Sequence, residues 1–190
     1  VFFARLGAAI AQLHSVRGSA YARSTLATDR HANWSQAIDS RLAQTADRYA
    51  AAGLELDALT TRACTRIAAL ATQVSTISTP TFVHSDLYLD NLLLGSGDVP
   101  VVLDFEHCGY ADACVEFVKP TLFVFDGVPG ARDALIDAYV AASDTDALDE
   151  RLHVALGMEL VWGLPFFEQW GDVAVADLYR SRLERWFDAS

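Results

Sequence analysis

Positive charge is scarce in this sequence. Fourteen lysines and arginines stand against 25 aspartates and glutamates, a formal net charge of −11, and of the 14 only Lys119 is a lysine. The isoelectric point falls near 4.7. Such a chain repels the phosphates of nucleic acid, so no nucleic-acid partner is expected. The same balance suits a cationic small molecule, and it also suits plain solubility. Cysteine is sparse too. Cys64, Cys108 and Cys114 form no C-x-x-C pair, and an odd count without metal spacing reads as reduced thiols in a cytoplasmic protein. No apolar run reaches the roughly 18 residues of a spanning helix, so no membrane partner is expected. The opening VFFARLGAAIAQLH is interrupted by Arg5 and Gln12 and lacks a small-residue cleavage site, which excludes a signal peptide. Internal repeats and low-complexity tracts are missing. What is abundant is hydrophobic residues, 52% of 190, enough for the core of one domain.

Most of that apolar content has helical spacing. Phe2, Phe3, Leu6, Ile10 and Leu13 predict an amphipathic helix over residues 1–14, with His14 near its last carbonyls. Residues 18–33 are polar and broken and read as a loop. Trp34, Ile38, Leu42, Ala46 and Tyr49 predict one second helix, capped by Asn33 and ended by Gly53. Leu59, Ala63, Ile67, Leu70 and Val74 predict a third, starting near Asp57. Further helices follow residue 112: one capped by Asp112, one with Pro129 in its first turn, and a long one starting at Thr145 or Asp146 that Pro165 should kink or end. Asp172 is the expected cap of the last. The fold class is therefore α+β and predominantly α: helices around one small β-hairpin.

That hairpin lies in residues 81–106, TFVHSDLYLDNLLLGSGDVPVVLDFE. A short strand ends at Val83, and His84, Ser85 and Asp86 leave it. Leu92-Leu93-Leu94 and Val101-Val102-Leu103 flank the turn Gly95-Ser96-Gly97-Asp98. Antiparallel pairing then brings Asn91 and Asp104 to the same end of the ribbon. An amide oxygen and a carboxylate there can share a hard cation such as Mg²⁺, with Asp86 facing a substrate hydroxyl.

The order His84, Asp86, Asn91, Asp104 resembles the catalytic half of a kinase, H-R-D-x-x-x-x-N followed by D-F-G. It is more similar to the aminoglycoside phosphotransferase and choline kinase-like family. There H-G-D-x-x-x-x-N precedes an apolar strand ending I-D-W/F-E and then G-x-x-D. This chain has Leu103-Asp104-Phe105-Glu106 and Gly109-Tyr110-Ala111-Asp112. The resemblance implies a small-molecule kinase that uses ATP or GTP and Mg²⁺, of the kind that confers antibiotic resistance. Asp86 would be the catalytic residue, and Asn91 and Asp104 would hold the metal and its nucleotide. His84, Ser85, Glu106 and Asp112 would support them. The acceptor would be an antibiotic carrying amines and hydroxyls, or else choline, homoserine or a sugar derivative.

Ser85 departs from the family glycine, and nothing in the chain resembles the nucleotide lobe, with its glycine-rich turn and Val-Ala-x-Lys strand. Residues 1–190 are thus expected to be the C-terminal lobe of a longer polypeptide. An opening Val1 in mid-helix without Met points the same way.

The best acceptor-pocket candidates are Asp90, beside Asn91, and the aromatic segment near residue 166. Trp162, Phe166 and Trp170 could stack on a ligand, and Glu159 and Glu168 could pair with ammonium groups. The same stripe is equally well ordinary core and surface. Two other classes remain open: a kinase-like binding module without transfer activity, and a metal hydrolase using His84, Asp86, Asp104 and His107.

Overall fold

Side chains at three- and four-residue steps fold the first residues into α1 (Phe2–Leu13), which buries Leu6 and Ile10. The computed structural model describes residues 1–143 and 145–188. An irregular segment follows α1. The expected second helix is two: α2 (Trp34–Ala43) and α3 (Thr45–Ala51). The break falls at Gln44, where the buried Thr45 hydroxyl donates to the Arg41 carbonyl at 3.2 Å, an alternative to the helical ladder that spacing alone does not reveal. Asn33 caps α2 as expected, accepting from Gln36 N at 3.0 Å. Asp57 caps α4 (Ala58–Val74), accepting from Thr60 N at 2.7 Å.

Four three-residue strands follow: β1 (Thr81–Val83), β2 (Leu92–Leu94), β3 (Pro100–Val102) and β4 (Gly109–Ala111). β2 and β3 make the expected hairpin, with Leu92 opposite Val102 and Leu94 opposite Pro100. β1 pairs instead with β4, Thr81 opposite Ala111, a ribbon the sequence did not announce. Ala22 extends that ribbon by exchanging two 2.9 Å backbone bonds with Tyr110. The close approach needs Gly109, where a Cβ would stand 2.6 Å from the carbonyl oxygens of Ala22 and Arg23.

The remaining chain is helical: α5 (Val118–Phe123), α6 (Ala131–Ala142), α7 (Leu148–Trp170) and α8 (Val173–Asp188). α1 packs on α6, and α7 packs against both α4 and α8. Leu152, Met158, Leu160, Val161 and Leu164 of α7 lie buried at the centre. Two helix boundaries differ from expectation. Pro129 lies outside α6, because Gly130 (φ 74°) is its N-cap residue. α7 starts at Leu148, after Ala147 in the left-handed region at φ 47°, and not at Thr145 or Asp146. Asp172 does cap α8, accepting from Val175 N at 3.2 Å.

Pro165 neither ends α7 nor interrupts it. A helical proline deprives the carbonyl four residues earlier of its donor. Here the buried Tyr49 hydroxyl of α3 donates to that carbonyl, Val161 O, at 3.1 Å, and Arg48 Nε donates to the next one, Trp162 O, at 2.8 Å. Tyr49→Phe should therefore leave Val161 O buried without a donor and cost about 1–3 kcal/mol of stability, read by denaturant titration. No helix among the described residues is long and apolar enough to cross a membrane. Cys64, Cys108 and Cys114 are unpaired thiols.

Candidate active site

β1 delivers the chain to His84 and Ser85, and the turn there is strained. Ser85 has φ 71°, a left-handed conformation that disfavours any side chain. What holds it is Glu116, in the 3₁₀ turn before α5. Its carboxylate accepts from His84 N at 2.7 Å and Ser85 N at 3.2 Å. His14 Nε2 donates to the same carboxylate at 3.3 Å, and His14 Nδ1 lies 3.0 Å from the Tyr139 hydroxyl. The His14 side chain therefore does not serve the carbonyls of α1, as its position suggested, but braces the loop. A lone carboxylate in the otherwise apolar run ACVEFV was the available sign of Glu116. Ser85→Gly should relieve the turn. The roughly 1–2 kcal/mol left-handed penalty is partly offset by about 0.4–1 kcal/mol of added unfolded-chain entropy, so a net gain of about 0.5–1 kcal/mol is expected in a melt.

His84 ties this loop to the hairpin. Its Nε2 donates to Leu103 O at 2.8 Å, so Nδ1 is the unprotonated nitrogen that accepts from Asp86 N at 3.3 Å. Its ring also meets Phe105 edge-on at 4.7 Å. Asp86 and Asp104 are thereby positioned through one imidazole. Asn91 Nδ2 donates to Asp86 O at 2.8 Å and to Asp86 Oδ2 at 3.2 Å. That fixes which end of the amide is oxygen and leaves Asn91 Oδ1 available. Asp86 Oδ1 has no protein partner among the described residues. Leu103 N donates to Asn91 O at 2.9 Å, which sets Asn91 and Asp104 at one end of the hairpin.

Asp104 sits in an open setting. The hairpin is not a buried strand pair, and Asp104 is exposed, with φ 60°. Among the described residues its carboxylate meets only Glu106 N, at a long 3.5 Å. The exposed Glu106 side chain lies 3.5 Å from His107. Asp90 is exposed in the 3₁₀ turn Leu89–Asn91. Among the described residues no lysine or arginine pairs with Asp86, Asp90 or Asp104, so these carboxylates lack a counter-charge. No group of three or more His, Cys, Asp and Glu converges as a metal cage among the described residues, which leaves the proposed hydrolase centre without its ligand set. Mg²⁺ fits the site differently, since it takes one or two protein oxygens and completes its shell with phosphates and water.

Asp112 is a buried anchor. It accepts from Cys114 N at 2.9 Å and receives Arg151 Nη1 on both oxygens, at 3.0 and 2.9 Å. The side chains are 0% and 6% exposed. Burial and the adjacent Asp112 carboxylate push the Cys114 thiol pKa well up.

A second wall runs from Asp86 toward α7. Burial, opposed by Lys119, raises the Tyr88 phenol, and the Asp86 charge adds to that rise. Lys119 Nζ lies 5.4 Å from the Tyr88 ring and 2.5 Å from Glu159 Oε1. Tyr179 donates to the same Glu159 oxygen at 2.9 Å. Burial disfavours the Glu159 charge, but Lys119, Arg41 and the Tyr179 hydroxyl outweigh it and hold the pKa below the usual carboxylate range. Glu159 is thus already paired, and so is Glu168, with Arg180. Neither is an unengaged partner for a substrate ammonium. Trp162 is buried under arginines, whereas Phe166 and the 74%-exposed Trp170 stand out in solvent beyond it. The predicted aromatic stripe is therefore not one surface.

The model of the phosphotransferase enzyme family (APH) matches residues 1–151, and the chain belongs to that family. Among solved structures, macrolide 2′-phosphotransferase type I is similar at 16% identity and TM-score 0.63, over 96% of this chain and 58% of that one. An aminoglycoside phosphotransferase from Alicyclobacillus acidocaldarius is similar at 13% identity and TM-score 0.57, over 98% of this chain and 65% of that one. The chain thus spans less than two thirds of the length of either. No curated protein matches the sequence. The predicted fold class and family are borne out: predominantly helical, with small antiparallel ribbons, and kinase-like. The match stops short of Glu159 and Trp162, so the α7 wall lies outside it.

Proposed function

We propose that the protein is a small-molecule kinase of the antibiotic phosphotransferase type, moving the γ-phosphoryl group of ATP or GTP to a substrate hydroxyl in the cytoplasm. One observation carries this reading. The Asn91 amide is locked by Asp86 so that its oxygen is available at the hairpin end that also presents the unpaired Asp104 carboxylate. Those two oxygens would hold Mg²⁺, which when bound supplies charge neutralisation for the nucleotide phosphates. Asp86 Oδ1 orients the acceptor hydroxyl and takes its proton. The acceptor oxygen bonds to phosphorus as the bond to the β-phosphate oxygen breaks, and the nucleoside diphosphate leaves. Positioning and fixed charge supply the rate enhancement.

Leu93, Leu94, Val99, Val101, Leu103 and Phe105 are exposed along this hairpin, from its turn to the Asn91–Asp104 end. An apolar patch beside unpaired carboxylates suits a nucleotide base and a covering lobe, so residues 1–190 serve as the C-terminal lobe of a longer enzyme. Aminoglycoside-type or other antibiotic acceptors fit the family, with choline, homoserine or a sugar derivative as the alternative. The strained Ser85 turn is held by Glu116, so it does not favour an inactive binding module.

The test is a transfer assay on the full-length protein with γ-labelled ATP and GTP. The panel holds aminoglycosides, macrolides, peptide antibiotics, amino alcohols, homoserine, and neutral and acidic sugar derivatives. Mg²⁺-dependent label on an acceptor hydroxyl is expected. Phosphoester hydrolysis without an acceptor, or no transfer to any compound, would reject the reading.

A further inference from the structure

Trp162 gathers an unusual amount of positive charge for an acidic protein. Arg41 and Arg48 each place their guanidinium carbon 4.7 Å from the indole centroid, and Arg23 lies at 5.8 Å. The three come from separate elements: Arg23 from the segment bonded to β4, Arg41 from α2 and Arg48 from α3. The three like charges crowd one ring, with no carboxylate at ion-pair distance from any of them among the described residues. Arg48 spends Nε on the Trp162 carbonyl, and Arg41 Nε is buried with no hydrogen-bond partner. Glu159, one turn earlier on α7, is already taken by Lys119 and Tyr179. Burial lowers the Arg41 pKa to about 10; Glu159 opposes the fall, and Arg23 and Arg48 deepen it. Four cations and one carboxylate thus line a wall that continues through Tyr88 to Asp86.

Cation–π stacking stabilises each guanidinium on its own. It does not explain why three are brought together, because like charges repel and a buried donor without a partner is costly. An anion arriving in the site would answer both. We infer that the acceptor carries an anionic group, a carboxylate or a phosphate monoester, apart from its reacting hydroxyl, and that Arg23, Arg41 and Arg48 receive that group beside Trp162. The inference rests on the kinase reading for the word acceptor, and it reverses the cationic substrate that net charge alone suggested. The overall charge of −11 describes the surface; the local balance on this wall has the opposite sign.

The test separates binding from transfer. Binding to the full-length protein is measured by calorimetry without nucleotide. The ligands are matched sets on one hydroxylated skeleton: carboxylate, phosphate monoester, primary amide and amine. Glucuronate, a glucose phosphate, glucuronamide and glucosamine form one such set. An anionic member should bind at least about tenfold more tightly than the amide or amine, as a charge-assisted hydrogen bond implies. The carboxylate and phosphate arms tell which anion is read. Arg41→Gln should remove the preference while leaving amide binding unchanged. Arg23→Gln, at an exposed position that cannot threaten the core, should weaken it in the same direction. Equal binding across each set, no binding at all, or a preference untouched by both variants would overturn the inference. If the anions bind with the expected preference and no phosphoryl group moves, the kinase reading fails and the anion site stands. If amines accept phosphate as well as acids do, the kinase reading stands and the anion site falls.

Discussion

Replacing Asp86 with alanine should lower the turnover of the full-length enzyme by about 10²- to 10⁴-fold, the usual contribution of a positioned general base. Nucleotide affinity should stay close to wild type. The reason lies in how Asn91 is held: its Nδ2 donates to the Asp86 backbone carbonyl at 2.8 Å as well as to the carboxylate, so the amide keeps its orientation when the side chain is removed. His84 likewise meets Asp86 through its backbone N–H, and that contact survives the substitution. The split between lost turnover and retained nucleotide binding distinguishes a chemical role from a structural one. Steady-state transfer kinetics together with nucleotide titration read it. Wild-type turnover in Asp86→Ala would remove the assigned role.

The largest stability effect should come from the buried pair beneath the site. Asp112 receives both Arg151 contacts and the Cys114 amide with no exposed side-chain surface. Asp112→Ala strands a guanidinium in the interior, and breaking such a pair costs about 3–5 kcal/mol. Against a total stability of about 5–15 kcal/mol for a domain, that is a large fraction. The double substitution Asp112→Leu with Arg151→Met should recover most of the loss, because the cost comes from the unpaired charge and not from absence of the pair. Denaturant titration of both variants checks this. A loss below about 1 kcal/mol in Asp112→Ala would show that water or another group replaces the carboxylate.

Much of this architecture could be read from local chemistry. Asn33, Asp57 and Asp172 cap helices because each side chain reaches an orphan amide two or three residues on, a signal contained in a few residues. The β2–β3 hairpin followed from a glycine-rich turn between apolar runs, and its register put Asn91 and Asp104 together. What escaped depends on partners distant in sequence. β4 is three residues long, contains two small residues, and pairs with β1 across the whole active-site stretch. Pro165 remains helical because Tyr49, on another helix, supplies the missing donor. The His14–Glu116 brace joins residues 102 positions apart, and no local spacing connects them. The arginines on Trp162 were hidden for the same reason, since no spacing rule connects residues 23, 41, 48 and 162. The acidic composition averages over the surface and contains no information on which charges meet.

Metal affinity tests the central claim most directly. Mn²⁺ can stand in for Mg²⁺ and be counted by electron paramagnetic resonance on the full-length protein with a non-hydrolysable ATP analogue. Asn91→Leu and Asp104→Asn should each weaken the metal–nucleotide complex at least about tenfold, while Glu106→Gln, whose exposed side chain lies against His107, should bind as wild type does. Wild-type Mn²⁺ affinity in both Asn91→Leu and Asp104→Asn would contradict the assignment of that hairpin end as the place where the phosphates are held.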